Sequence, residues 1–321
     1  MVHSRAKKKD HRRAVFKQIF LCLLLAGFIF FIYSLLVSFK RAVWSGENQL
    51  NFVVQTDKIR VFSYQPQTEV LNILTIDNKI HLPVARGFGD YPISSISFLG
   101  EQEGIGGGEL LKLSLQGFLA VPVDGYIVQK QKAEENSQDQ SLEEANLLPL
   151  FYCLLKNRCQ TNFTAKDLVV IGLNFSRLKV SQIKTFDFKQ TGVVRAEVLP
   201  DQSKILKPDQ AKIDQLSVKF FADSQVLEEG VTVSLYNSTS KSGLAQEVGR
   251  LVRNLGAEVI NTGNVGEEIS QSVIYYKNEK IKESYTLARL VEVFALRKIE
   301  EDQEQDVEIK FVLGEDIKSF F

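Results

Sequence analysis

Residues 231–245 read VTVSLYNSTSKSGLA. Val231 to Tyr236 alternates apolar with other residues, the period-two pattern of a half-buried strand. Asn237, Ser238 and Thr239 follow, carrying the side chains that cap helices and turn chains. From Lys241 to Leu255, Leu244, Val248, Leu251, Val252 and Leu255 fall on one helical face, with Gly256 as a C-cap. A strand, a short turn and an amphipathic helix predict a helix folded back onto a sheet.

Toward the C-terminus, residues 257–260 and 272–276 read as strands, 282–294 as a second amphipathic helix and 307–313 as an alternating strand. The order β-α-β-β-α-β is that of a split βαβ unit, and predicts a small α+β domain over residues 231–316. Glu228-Glu229-Gly230 reads as the linker before it.

Toward the N-terminus, residues 49–82 read as strand, turn, strand, punctuated by Pro66. A glycine-rich loop at 101–108 precedes a helix at 109–119, closed by Pro122, and a short strand at 125–129. Helices are expected at 164–178 and 209–221, and a strand ending near Leu199. These elements predict an α/β domain with a mixed sheet over residues 50–226. The segment 130–147 is dominated by Lys, Glu, Gln, Asn, Asp and Ser, and reads as a polar insertion.

The 321 residues carry 39 basic and 39 acidic side chains, a balance that excludes a generally basic nucleic-acid binder. The basic residues are concentrated at the start: Arg5, Lys7, Lys8, Lys9, Arg12, Arg13 and Lys17 face only Asp10. Residues 19–39 contain no charge, and about 20 such residues cross a hydrocarbon core as a helix. The competing readings are a cleaved signal peptide and a buried core helix, but Ser-Phe-Lys-Arg-Ala-Val-Trp44 is a poor cleavage site. The expected topology is a basic cytoplasmic tail at 1–18, a transmembrane helix at 19–39 and everything after Lys40 extracytoplasmic.

Cys153 and Cys159 lie in the expected exported part with five residues between them. In an oxidising compartment they suit a local disulfide; free thiols and a metal site are the alternatives. His81 is the one histidine after the apolar run, which argues against a multi-histidine zinc site and a Ser-His-Asp arrangement.

The stretch from Val231 to Ala245 resembles the opening of the C-terminal domain of LytR-type cell-envelope proteins. Residues 261–264, 273–276 and 312–316 fall where that domain's later motifs fall, so the resemblance spans 231–316. The preceding region resembles a diverged LytR–CpsA–Psr domain in Thr56-Asp57 with the strand after it, in Leu74 to Ile76, in Gly107-Gly108, and in Val121 to Tyr126. The resemblance implies an anchored, exported protein, and in that family a magnesium-dependent transfer of glycopolymer from a polyprenyl-pyrophosphate carrier to peptidoglycan.

The departures bear on activity. Asp77-Asn78-Lys79 stands where the family has Pro-Arg-Asp, Pro92-Ile93-Ser94 replaces Lys-Ile-Asn, and the Arg-rich helix has no counterpart. Only Asp57 matches a magnesium ligand of the family, while Lys79 and Arg86 are candidate substitute cations. Removing one group that stabilises developing charge typically costs about 10²–10³ in rate. The expectation is therefore a membrane-anchored envelope protein that binds cell-wall glycan or envelope partners without catalysis or a cofactor; the alternative is an active transferase using magnesium. Further candidates are Gly104 to Gly108 as a phosphate cradle, Asp57, Asp77 and Asp90 as a shared metal site, and Asn237, Ser238 and Thr239 as ligand contacts. The competing readings are a loop that simply turns a corner for the glycines, scattered loop or strand-end carboxylates for the aspartates, and helix capping for the last three.

Overall fold

The computed structural model describes residues 42–130, 148–198, 204–300 and 307–320. The expected tail and membrane helix, and nearly all of the polar insertion, lie outside these residues. Among the described residues no helix is long and apolar enough to cross a membrane.

The first half is built on a six-stranded sheet. Strands β1 (Leu50–Gln55), β2 (Ile59–Gln65) and β3 (Val70–Ile76) form an antiparallel meander. A separate hairpin, β4 (His81–Val84) with β5 (Gly89–Pro92), leads into helices α1 (Ile93–Gln102) and α2 (Gly107–Leu119). β6 (Gly125–Gln129) then pairs parallel with β1. Beyond the insertion come α3 (Leu148–Leu155), β7 (Cys159–Thr161) antiparallel to β6, α4 (Ala165–Phe175), and β8 (Ile183–Asp187) parallel to β3. The sheet order is β7-β6-β1-β2-β3-β8. A hairpin of β9 (Val194–Val198) and β10 (Lys204–Pro208) precedes α5 (Gln210–Phe221).

Side-chain alternation along β1, β2 and β3 feeds two cores, which is why these strands read as nearly continuous apolar runs. Val53, Val61 and Leu74 pack against α1, α2 and α5. Phe52, Phe62 and Ile73 face Trp44, Phe163 and Ile171 on the other side. Buried amides tie the layers together: Gln49 donates to the Phe221 carbonyl at 2.9 Å and Asn72 to the Phe220 carbonyl at 2.9 Å. Cys153 and Cys159 form a disulfide with their Cα atoms 5.4 Å apart, joining α3 to β7.

The stretch expected to be a linker is a helix, α6 (Ser224–Glu229). Asp223 accepts from the Gln225 amide at its start, Gly230 (φ 58°) ends it, and Val226 is buried in the second half's core. That half contains β11 (Thr232–Asn237), α7 (Leu244–Leu255), β12 (Glu258–Asn264), β13 (Val273–Tyr276), α8 (Glu279–Lys282), α9 (Tyr285–Phe294), β14 (Arg297–Glu300) and β15 (Ile309–Leu313). The sheet order is β12-β11-β15-β13-β14. It has one strand more than the expected β-α-β-β-α-β unit, because β14 pairs parallel with β13 at the sheet edge. Leu244, Val248 and Leu251 of α7, with Leu287, Leu290 and Phe294 of α9, cover one face of the sheet. Each such buried side chain contributes about 1.5–3 kcal/mol.

The halves meet through polar contacts. Arg250 of α7 makes a two-pronged pair with Asp214 of α5, at 2.8 and 3.1 Å. Asn254 donates to the Leu119 carbonyl at 3.2 Å.

Candidate functional site

A cleft of about 440 Å³ lies at this junction. Its walls come from the Arg86 turn, α2, the Pro122–Asp124 loop, α9, Val43 and Phe320. Arg86 sits in the left-handed region at φ 64°, in the three-residue turn after β4. Lys112 of α2 pairs with Glu109 one turn earlier, at 2.8 Å.

Opposite stands Arg289, only 2% exposed. It donates to Glu292 Oε2 at 2.9 Å, to the Gln49 carbonyl at 3.1 Å and to Asp124 Oδ1 at 3.4 Å. Asp124 also accepts the Asn51 amide at 2.8 Å. Burial works against the Arg289 charge, but the Asp124 and Glu292 carboxylates outweigh it and hold the guanidinium protonated. A carboxylate–guanidinium–carboxylate chain thus joins the Pro122–Asp124 loop of the first half to α9 of the second.

The sequence candidates at the far end of the first sheet do not converge. Asp57, in the β1–β2 turn, accepts Thr56 Oγ1 at 2.8 Å and lies 3.6 Å from Arg60. Burial pushes its carboxyl up, but the Thr56 hydroxyl and the Arg60 charge prevail and leave it below the usual carboxylate value. Asp77 pairs with Lys189 at 2.6 Å. Lys79 is exposed after β3 and Asp90 is exposed on β5. Among the described residues no group of three His, Cys, Asp or Glu side chains could hold a metal ion. Asp57 supplies one carboxylate, magnesium binds through one or two carboxylates with waters and phosphates, and the Arg60 guanidinium 3.6 Å away competes for its charge.

The glycine-rich segment is narrower than expected: α1 ends at Gln102 and α2 starts at Gly107. The α2 N-terminus that would cradle a phosphate is closed by Glu101, whose Oε1 accepts the Gly107 amide at 2.7 Å and Gln160 Nε2 at 2.8 Å. Those two hydrogen bonds hold the Glu101 carboxyl below its ordinary 4.5. Its contribution is complete above that value and lost as pH falls through the lowered one. Glu101→Ala should cost about 1 kcal/mol in urea unfolding at pH 7, the usual worth of a helix cap. The difference from the parent should shrink below pH 4.

Asn237, Ser238 and Thr239 build the β11–α7 turn. Asn237 Oδ1 accepts the Thr239 amide at 3.0 Å, while its Nδ2 donates to the Lys241 carbonyl at 2.9 Å. Ser238 Oγ donates to the Glu267 carbonyl and accepts the Ile269 amide. All three residues hold loops together, and none caps the helix as expected: α7 starts three residues later than read, with Gly243 as its N-cap and no side-chain cap.

Of the sequence candidates, only Arg86 lines the cleft. Glu109, Lys112, Asp124, Arg289 and Glu292 were missed, because as single charged residues on helices and loops they carry no spacing signal. The signal that could have found Arg289 is its helical register: residue 289 falls between Leu287 and Leu290 on the buried side of an amphipathic helix.

Comparison with known proteins places residues 230–316 in similarity to the LytR cell envelope-related transcriptional attenuator family. That is the stretch on which the sequence resemblance rests. No curated protein matches the chain. Among solved structures, Bacillus subtilis TagV is 12% identical, with a TM-score of 0.39, over 54% of this chain and 95% of that one. The LytR-CPS2A-psr family protein TagT with bound octaprenyl pyrophosphate lipid is 13% identical, with a TM-score of 0.37, over 53% of this chain and 88% of that one. A transcriptional regulator from Enterococcus faecalis is 9% identical, with a TM-score of 0.38, over 66% and 89%.

Proposed function

We propose that this is a single-pass envelope protein, anchored by residues 19–39 with its basic tail in the cytoplasm. On this reading its extracytoplasmic part binds cell-wall glycan or an envelope partner without transferring glycopolymer. The similarity of residues 230–316 to the LytR-type domain supports an envelope role. The Cys153–Cys159 disulfide suits an oxidising compartment.

The observation that carries the non-catalytic reading is the state of Asp57. It is the one residue at a family magnesium-ligand position, and one oxygen of its carboxylate accepts the Thr56 hydroxyl at 2.8 Å and faces the Arg60 guanidinium at 3.6 Å. Pyrophosphate transfer needs metal and cations aimed at the charge that develops on the phosphate oxygens. A carboxylate that faces a guanidinium, outside any group of three metal-ligating side chains among the described residues, attracts magnesium less strongly.

On this reading the anchor also keeps one wall of the cleft near the bilayer. The Val43 and Trp44 amides donate to the buried Asp167 at 3.1 and 3.0 Å, and Val43 lines the cleft. The four-residue step from Phe39 to Val43 spans at most about 14 Å, which on this reading holds Val43 close to the membrane surface.

The test uses the full-length chain in detergent micelles with a polyprenyl-pyrophosphate glycolipid and magnesium, beside an active LytR–CpsA–Psr protein. The expected result is no loss of lipid, together with co-sedimentation with purified wall sacculi that a truncation after Gly230 removes. Lipid turnover that Asp57→Ala abolishes would replace this reading with the transferase one.

A further inference from the structure

We infer that the junction cleft is a saccharide site, selective for a sugar unit that carries a single carboxylate. The inference deepens the glycan-binding reading by naming the site and the chemistry it takes.

The argument starts from the charge on the walls. Glu109, Asp124 and Glu292 face Arg86, Lys112 and Arg289, so the cleft is lined by charge yet formally balanced. Lys112 is committed to Glu109 at 2.8 Å, and Arg289 to Glu292 and Asp124 at 2.9 and 3.4 Å. Arg86 is the remaining cation, and among the described residues it has no carboxylate partner. Its planar fork matches one carboxylate, with two parallel hydrogen bonds.

The three carboxylates decide against a polyphosphate, which would bring several negative charges against them. Carboxylates accept from hydroxyl and amide donors, which sugars supply in number. The Val293 and Phe320 side chains give the walls an apolar component for the C–H faces of a sugar ring. Arg289 is almost wholly buried, and its Nε–H faces the equally buried Asp223, 4.0 Å from Oδ2. Asp223 does not line the cleft, so the other guanidinium nitrogens of Arg289 are the ones that bear on the cleft carboxylates. The volume, near the lower end of the about 300–1,000 Å³ of small-molecule sites, suits a disaccharide rather than a polymer threaded through.

The test is titration calorimetry on the full-length chain in detergent micelles with three probes. These are the disaccharide N-acetylglucosaminyl-N-acetylmuramic acid, the same disaccharide with its carboxylate reduced to an alcohol, and inorganic pyrophosphate. The acidic disaccharide should bind, and the reduced one about tenfold more weakly, the worth of one charge-assisted pair. Pyrophosphate should show no heat. Arg86→Gln should remove the preference between the two sugars with the melting temperature unchanged, because among the described residues Arg86 makes no ion pair or side-chain hydrogen bond. Glu292→Gln should weaken both sugars alike.

Failure of the acidic disaccharide to bind overturns the inference, as does binding that Arg86→Gln leaves untouched or tighter binding of pyrophosphate. Sacculus binding without disaccharide binding would sink the cleft assignment and leave the glycan reading standing. Disaccharide binding that follows the Arg86 pattern, without sacculus binding, would sink the wall-binding reading and leave the cleft.

Discussion

Arg289→Ala is expected to lower the free energy of unfolding by about 3–5 kcal/mol, the usual cost of removing one partner of a buried ion pair. Arg289 is 2% exposed, and three groups lose their donor at once: the Gln49 carbonyl, Asp124 and Glu292. The most damaging orphan is Asp124, which would keep only the Asn51 amide as a donor to its carboxylate. Burial already pushes the Asp124 carboxyl upward against the pull of Arg289, so without that charge it should be driven further toward the neutral acid. Urea unfolding followed by tryptophan fluorescence reads the effect, since Trp44 lies in the strap leading to Gln49. Glu292→Ala removes a half-exposed partner and should cost at most about 1 kcal/mol. If Arg289→Ala proved no worse than Glu292→Ala, the guanidinium would not be the tie between the halves.

The second large effect concerns two adjacent glycines. A Cβ on Gly108 would stand 2.1 Å from the Tyr126 ring, and one on Gly107 would stand 2.3 Å from the Ser97 carbonyl oxygen. Neither contact is possible, so α2 would have to move off β6 in one variant and off α1 in the other. Overpacking of this kind costs about 1–3 kcal/mol per site. The effect should be largest for Gly107→Ala, where the obstacle is backbone. Gly117, on the same helix, has nothing within 4 Å of a built Cβ, and Gly117→Ala should stabilise by about 1 kcal/mol through helix propensity. Opposite signs on one helix, measured as shifts in melting temperature, separate close packing from propensity. A loss at all three positions would mean that the built Cβ contacts do not govern α2.

These glycines also show how one sequence signal admits two readings, a phosphate cradle and a close-packed turn. A run of glycines before a helix is the pattern of a phosphate cradle. Here Gly107 and Gly108 let two helices and a strand approach, and the helix end is capped by the protein's own Glu101. The same closeness hid α1 from a periodicity reading. Its buried face is Ile93, Ile96, Ser97 and Gly100, small and polar where α2 presses against it, so the apolar period is diluted.

What the sequence by itself determined is the part governed by local patterning. Residues 231–255 specify strand, turn and helix because their apolar residues keep one period, while Gly243 and Gly256 bound the helix. The central strands, the α5 helix and the charge asymmetry around residues 19–39 are legible for the same reason. Tertiary structure alone decided what depends on pairing between distant segments. Arg297 to Glu300 contains one apolar residue and becomes a strand because β13 offers it an edge. Asp124 and Arg289 are 165 residues apart, and neither has a neighbour in sequence that marks it. Their meeting, and with it the cleft, follows from docking α9 against the Pro122–Asp124 loop. Burial lowers the local dielectric there, which makes it costly to remove either partner of the pair.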